Sequence, residues 1–217
     1  MTCVPNVLRG AAALTLFLAA PAFAGGNQLF LLQQSPPGAT EGNVLTVDQT
    51  QATDSRGGGV EGSFAQTDEL TVYDARALFD PDAPVPLTQR GERNEATVLM
   101  SGVGGIALLT QQGVDGGFGS DNRGLIEVFG NDSVGILAQF GSNNEGIVRI
   151  GADGAPVNNS AGTVIQRGND NDLELQVQSN DTSVVYEQIG NGMTSTEAVQ
   201  VFNSGSGGVI TITQTQF

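Results

Sequence analysis

The sequence predicts an all-β protein, a β-solenoid of stacked strand-turn-strand repeats of about 22 residues. Three observations carry that expectation. Seven-residue windows recur along the chain, residues within each window alternate in character with a period of two, and the windows are joined mostly by short separators rich in Gly, Asn and Asp.

Taken in order, Asn27–Gln33 and Asn43–Gln49 open the series with an Asn-x5-Gln spacing, and Val60–Gln66 and Thr71–Ala77 follow as looser copies. The regular run then begins at Gln89-Arg90-Gly91 with the window Asn94–Met100. Gly105–Gln111, Asn122–Val128, Ser133–Gln139 and Asn144–Ile150 continue it. Ser160–Gln166, Asn171–Val177 and Thr182–Gln188 extend it, and Gly208–Gln214 closes the series.

Odd positions hold a small polar residue, a small apolar one, an aliphatic, then Gln or another aliphatic. Even positions hold the charges: Glu95, Arg123, Glu127, Glu145, Arg149, Asp172, Glu174 and Glu187. Strict alternation over seven residues is the mark of a strand with one face buried and one in water, whereas a helical period would scatter those charges over the apolar stripe. The separators supply tight turns and positive φ angles. One such repeat cannot bury its inward face alone, so neighbours stack. Inward Asn, Gln and Ser at equivalent places then form amide and hydroxyl ladders along the stack, which gives buried polar groups partners.

Residues 1–24 read as a signal peptide. Arg9 supplies the positive start, Ala11–Ala20 the apolar stretch and Ala22-Phe23-Ala24 the small-x-small cleavage pattern. The stretch is shorter than the roughly 20 residues that span a bilayer, and no later segment qualifies. Cys3, the chain's one cysteine, leaves with the leader, so a secreted chain from Gly25 has no disulfide to stabilise it. Two further regions are expected: an irregular N-terminal strand region over 25–82, broken off at Pro81–Pro86, and the repeats over 83–217.

Composition removes most chemistry. The 217 residues include no His, all eight basic residues are Arg, and the net charge is −15. No imidazole base, Ser-His-Asp triad, Walker lysine, Schiff base or His-ligated zinc can be built. The negative charge disfavours nucleic acid as a partner. Gly116–Asp121 matches the opening of a calcium-binding nonapeptide, but one copy builds no site and Arg123 stands where a large apolar residue is needed. Asp80 with Asp82, and Asp68 with Glu69, are the carboxylate pairs available for glycoside cleavage, and they lie outside the regular repeats. The expectation is a non-enzyme without cofactor or metal.

The frame Ser-x5-Gln-x-Gly-x4-Asn-x5-Gln behind a leader resembles that of the curlin family, the major and minor subunits of bacterial curli amyloid fibres. Here x4 shortens to x2 between Gly141 and Asn144. The resemblance implies a β-solenoid, passage through an outer-membrane export pore, and assembly with like subunits into biofilm and adhesion fibres at the cell surface. On that frame the structural ladder positions are Gln89, Asn94, Gln111, Asn122, Ser133, Gln139, Asn144, Ser160, Gln166, Asn171 and Gln188, with Gln214 in the closing window. The second Gln of the frame is replaced by Met100, Val128, Ile150 and Val177, and Thr182 replaces a Ser. Loops at Val114–Asp121 and Ala152–Asn159 are expected to interrupt the stack.

A solenoid with open ends exposes strand edges that template pairing with another chain, and head-to-tail pairing that does not close yields a filament. Val209–Phe217 reads as such an uncapped edge. Asp132, Asp170, Asp172 and Asp181 are either ordinary turn residues or acidic gatekeepers that slow self-association. The alternative function is a capped, soluble secreted adhesin or polysaccharide-binding solenoid.

Overall fold

The computed structural model describes residues 26–58, 86–151, 155–195, 197–202 and 207–216. In chain order the strands are β1 (Gln28–Leu29), β2 (Leu31–Gln34), β3 (Val44–Thr53), β4 (Arg56–Gly57), β5 (Leu87–Glu92) and β6 (Glu95–Val103). They continue as β7 (Ile106–Gln112), β8 (Gly119–Ser120), β9 (Arg123–Asn131), β10 (Val134–Phe140), β11 (Glu145–Ile150) and β12 (Val157–Asn158). β13 (Ala161–Arg167), β14 (Asp172–Val177), β15 (Ser183–Ile189), β16 (Val199–Val201) and β17 (Val209–Thr215) complete them. Among the described residues there is no α-helix, only a 3-10 turn at Val114–Gly116.

All the strand pairs are parallel, and they form two sheets. The first runs β1-β4-β7-β10-β13-β15-β17, with β2 beside β5 and β5 beside β7. The second runs β3-β6-β9-β11-β14-β16. The chain alternates between them, so each strand pairs with its equivalent one repeat away. Gln111, Gln139, Gln166, Gln188 and Gln214 meet in register across the first sheet. The two inner faces enclose a core that includes Leu87, Val98, Leu109, Ile126, Leu137, Val148, Val164 and Leu175. Large and small residues interlock across it. A Cβ on Gly146 would stand 2.6 Å from the Leu137 Cδ1, so glycine there makes room for leucine from the facing sheet.

Residues 28–57, which the sequence placed in an irregular N-terminal region, run in register with the repeats. Leu31–Gln34 pair with Leu87–Arg90, and Val44–Thr53 pair with Glu95–Val103 around a bulge between Asp48 and Gln51. Val60–Gln66, Thr71–Ala77, the acidic pairs at 68–69 and 80–82, and Pro81–Val85 lie outside the described residues.

Two expectations are corrected. The loops after β7 and β11 do not interrupt the stack. Gly119–Ser120 return to pair with Gly91–Glu92, and Val157–Asn158 pair with Gly130–Asn131. Nor does every strand have one face in water. β11 alternates between exposed or half-buried and buried residues, but β10 is buried on both sides. The reason is in the even positions. The second sheet carries Glu95, Arg123, Glu127, Glu145, Arg149, Asp172 and Glu174 there, whereas the first carries mainly Ile, Val, Leu and Ala. Of the eight charges assigned to even positions, Glu187 alone stands on the first sheet.

Candidate functional site: amide and hydroxyl ladders

Each repeat turns from the first sheet to the second just after an inward Gln, and the next strand is preceded by an inward Asn. Gln89, Gln111, Gln139, Gln166 and Gln188 are all fully buried. Their amides form one continuous chain. Gln33 Nε2 donates to Gln89 Oε1 at 2.6 Å, Gln89 to Gln111 at 2.8 Å, and Gln111 to Gln139 at 2.8 Å. Gln139 donates to Gln166 at 2.9 Å, Gln166 to Gln188 at 3.1 Å, and Gln188 to Gln214 at 3.2 Å. The second Nε2 hydrogen is used on a backbone carbonyl of the facing strand, as with Gln139 to Arg123 O at 2.9 Å and Gln166 to Glu145 O at 2.8 Å. Every donor points toward the C-terminal end of the stack. The row therefore begins with an acceptor, the Gln33 Oε1, and ends with a donor, the Gln214 Nε2.

The asparagine column runs the other way. Asn122 Nδ2 donates to Asn94 Oδ1 at 2.9 Å and to Gly141 O at 3.0 Å, while its own backbone N–H reaches the same Asn94 Oδ1 at 3.1 Å. Asn144 repeats the pattern on Asn122 and Gly168 O. Asn43 opens the column and Asn171 closes it, its Oδ1 accepting the Met193 N–H at 3.1 Å. At the opposite turn Ser133 Oγ accepts the Ser160 N–H at 3.3 Å, and Ser160 Oγ accepts the Thr182 N–H at 3.5 Å. Ser160 Oγ also donates to Ser179 O. Full pairing is what allows amides and hydroxyls inside a core. Among the described residues, the buried side-chain polar atoms without a partner are Gln28 Oε1 and Thr163 Oγ1.

Met100, Val128, Ile150 and Val177, where the curlin frame has its second Gln, meet in register as a buried aliphatic column. Gln49 stands over its first member, with Nε2 3.4 Å from the Met100 Sδ.

Sequence reasoning missed Asn27, Gln33, Asn43 and Ser55 as ladder members. It placed Asp132, Asp170 and Asp181 in turns, but missed the one conformation shared by the residue before each ladder Asn, Ser or Thr. Asp54, Arg93, Asp121, Asp132, Asn143, Asn159, Asp170 and Asp181 all have φ between 51° and 59°. That left-handed turn is tolerated best by Asp and Asn. The signal was the repeated Asx-Asn and Asx-Ser pair. Asp132, Asp170 and Asp181 thus serve a conformational role, whereas Asp172 is an outward residue of β14. Neutral Asn separates the acids within each turn column: Asn143 donates to Asp170 at 2.5 Å and Asn159 to Asp181 at 2.9 Å. Asp121, the last residue of the calcium-like motif, takes both 2.7 Å bonds from the Arg93 guanidinium.

Outward charges alternate over part of the second sheet. Glu95, Arg123 and Glu145 are successive neighbours, with acidic Asp172 next to Glu145, and Arg149 lies between Glu127 at 2.9 Å and Glu174 at 2.8 Å. The hydrogen bond from Arg93 holds the Asp121 carboxyl below its ordinary range. Burial first, then the Glu145 and Glu174 carboxylates, pushes the Asp172 carboxyl above the ordinary 3.8. The two act oppositely on stability. Asp121 stabilises the fold above its unfolded pKa, and that contribution is lost as pH falls through its lowered folded value. Asp172 favours the folded state at pH below 3.8, and that contribution is lost as pH rises through its raised value. Asp172→Asn is therefore expected to raise the denaturation midpoint at pH 7 and to leave it unchanged at acid pH. Guanidinium titrations at several pH values check this, and equal midpoints at pH 7 would contradict it.

No family model, curated protein or solved structure matches the chain. No helix among the described residues is long and apolar enough to cross a membrane.

Proposed function

We propose that the chain is a secreted, non-enzymatic fibre subunit of the curlin kind, whose two parallel sheets are the walls of an open β-solenoid. The observation that supports this most is the direction of the glutamine row. Its acceptor end at Gln33 and donor end at Gln214 complement each other. Laying Ile212–Thr215 of one copy beside Leu31–Gln34 of the next continues the Gln column and the Leu87–Leu109–Leu137 column in one register. Backbone groups of β17 and of β1 and β2 continue the parallel ladder in the same step. The contact is heterologous and does not close, so copies add end to end into a cell-surface filament. Acidic turns repel neighbouring chains before assembly.

The chain from Gly25, diluted out of denaturant, is expected to show lag-phase growth of thioflavin fluorescence, shortened by its own fibrils, and a reflection near about 4.7 Å. A stable strand-rich monomer that never grows overturns the reading and favours a capped adhesin. Gln214→Ala removes the terminal donor and is expected to raise the critical concentration about fivefold, the equivalent of one hydrogen bond of about 1 kcal/mol.

A further inference from the structure

Two irregularities in the second sheet meet on its outward face. Val44–Thr53 bulges between Asp48 and Gln51 where it pairs with Glu95–Val103. The Thr50 N–H donates to Asp48 Oδ1 at 2.9 Å, which holds the carboxylate at the edge of the bulge. Three strands along the sheet, Gly151 follows β11. Its φ is +68°, and a Cβ there would stand 2.4 Å from the Phe129 carbonyl oxygen, so the place beside Phe129 is left without a side chain. Bulges re-aim side chains, and a glycine in a sheet lets another group approach the backbone closely. Here they frame a groove of about 490 Å³ that reaches from Asp48 of β3 to Gln176 of β14. That volume suits a small-ligand site.

The lining combines an apolar patch with unused polar groups. Leu99 and Phe129 are half-buried outward residues of β6 and β9. Leu99 lies in register between Asp48 and Glu127, and Ser101 lies between Gln51 and Phe129. Among the described residues, the side chains of Gln51, Ser101 and Gln176 have no hydrogen-bond partner. Arg149 donates to Glu127 through Nη1 and to Glu174 through Nε, which leaves its Nη2 outside both bonds.

This arrangement matches a sugar ring. The ring's C–H face packs on an aromatic or aliphatic side chain, and its hydroxyls exchange hydrogen bonds with amides, hydroxyls and carboxylates around the edge. Other ligand classes fit less well. A peptide strand needs an unpaired sheet edge, whereas β6, β9 and β11 are each paired on both sides. A phosphate or polyanion needs a cation to itself, whereas Arg149 is shared by two carboxylates. We propose that the groove binds a neutral oligosaccharide, with Phe129 against a ring and Gln51, Ser101 and Gln176 on its hydroxyls. The site is on the wall of the stack and serves a single chain and a fibre alike, so the inference does not depend on fibre formation. Copies stacked end to end repeat it once per chain, which lets a long glycan bind at several points.

The test titrates the chain from Gly25, freshly diluted and after assembly, with cellohexaose, laminarihexaose and mannohexaose by isothermal calorimetry. At least one of the three is expected to bind, at one site per chain. Binding by none of them overturns the proposal, and so does tighter binding of hexagalacturonate, which Asp48 and Glu127 repel. Phe129→Ala is expected to weaken binding about tenfold, whereas Phe129→Tyr, which keeps the ring, and Leu125→Ala, on the same face outside the groove, leave it within about twofold. Ser101→Leu fills the space beside the ring and is expected to weaken binding at least roughly tenfold. It decides alone if Phe129→Ala does not fold, and unchanged affinity in the folded variants would overturn the assignment. Thioflavin growth recorded on the same samples keeps the two readings apart: sugar binding without growth sinks the fibre and leaves the groove, and growth without binding does the reverse.

Discussion

Replacing Gln139 by leucine is expected to lower the stability of the folded state by about 3 kcal/mol, although the two side chains are similar in size. Gln139 is fully buried in mid-row. It accepts from Gln111 at 2.8 Å and donates to Gln166 at 2.9 Å, to Arg123 O at 2.9 Å and to Asn144 O at 3.1 Å. Leucine fills the space but leaves a donor on one neighbouring glutamine and an acceptor on the other without partners. A buried polar group left unpaired costs about 1–3 kcal/mol, more than a typical hydrogen bond contributes when made. Guanidinium midpoints measure the effect on monomer or fibre alike. The double variant Gln111→Leu/Gln139→Leu should lose less than the sum of the two single losses, since the bond between them is removed from both sides. Strict additivity would show that the amides act singly rather than as a row.

The second large effect is expected at Gly141. Its φ is +135°, and a Cβ there would stand 1.9 Å from the Gly168 carbonyl oxygen in the next repeat. That carbonyl is the one that accepts from Asn144 Nδ2 at 3.0 Å. Gly141→Ala must therefore strain its own backbone and push apart two repeats where the asparagine column ties them, at a cost of about 3 kcal/mol or more. Gly192→Ala is the control. Its φ is +68° and nothing lies within 4 Å of the added carbon, so the cost is only that of the left-handed backbone, about 1–2 kcal/mol. Thermal or guanidinium unfolding of the two variants side by side separates repeat contact from backbone preference. Equal losses would contradict the account.

Why the strands were legible while their surroundings were not follows from range. Alternation such as Glu145-Gly-Ile-Val-Arg-Ile150 is local, so it is written in consecutive residues and marks a strand directly. The recurrence of Gln and Asn at one spacing marks equivalent places in successive repeats, and the structure sets those residues over one another. The turn residues were harder to read. Arg93 and Asp121 share a backbone conformation but no chemistry, so a pattern of residue types does not group them. The first repeat was obscured because residues 58–86 intervene within a single row between Gly57 and Leu87, which breaks the spacing that identifies the others. The dry outward face of the first sheet was unreadable for a different reason. A strand such as Val134–Phe140 with large apolar residues on both sides says that two faces are covered, but not what covers the second.

The central claim is that the chain stacks end to end, each copy supplying several rows of the ladder. Mass per unit length of the fibres, measured by electron scattering, tests it most directly. Seven rows of the first sheet, from β1 and β2 to β17, at a strand spacing of about 4.8 Å, give one chain for roughly every 34 Å of a single filament. That value is the expected result. One chain for every 4.7–4.8 Å or so, the density of an ordinary in-register cross-β stack, would contradict the account.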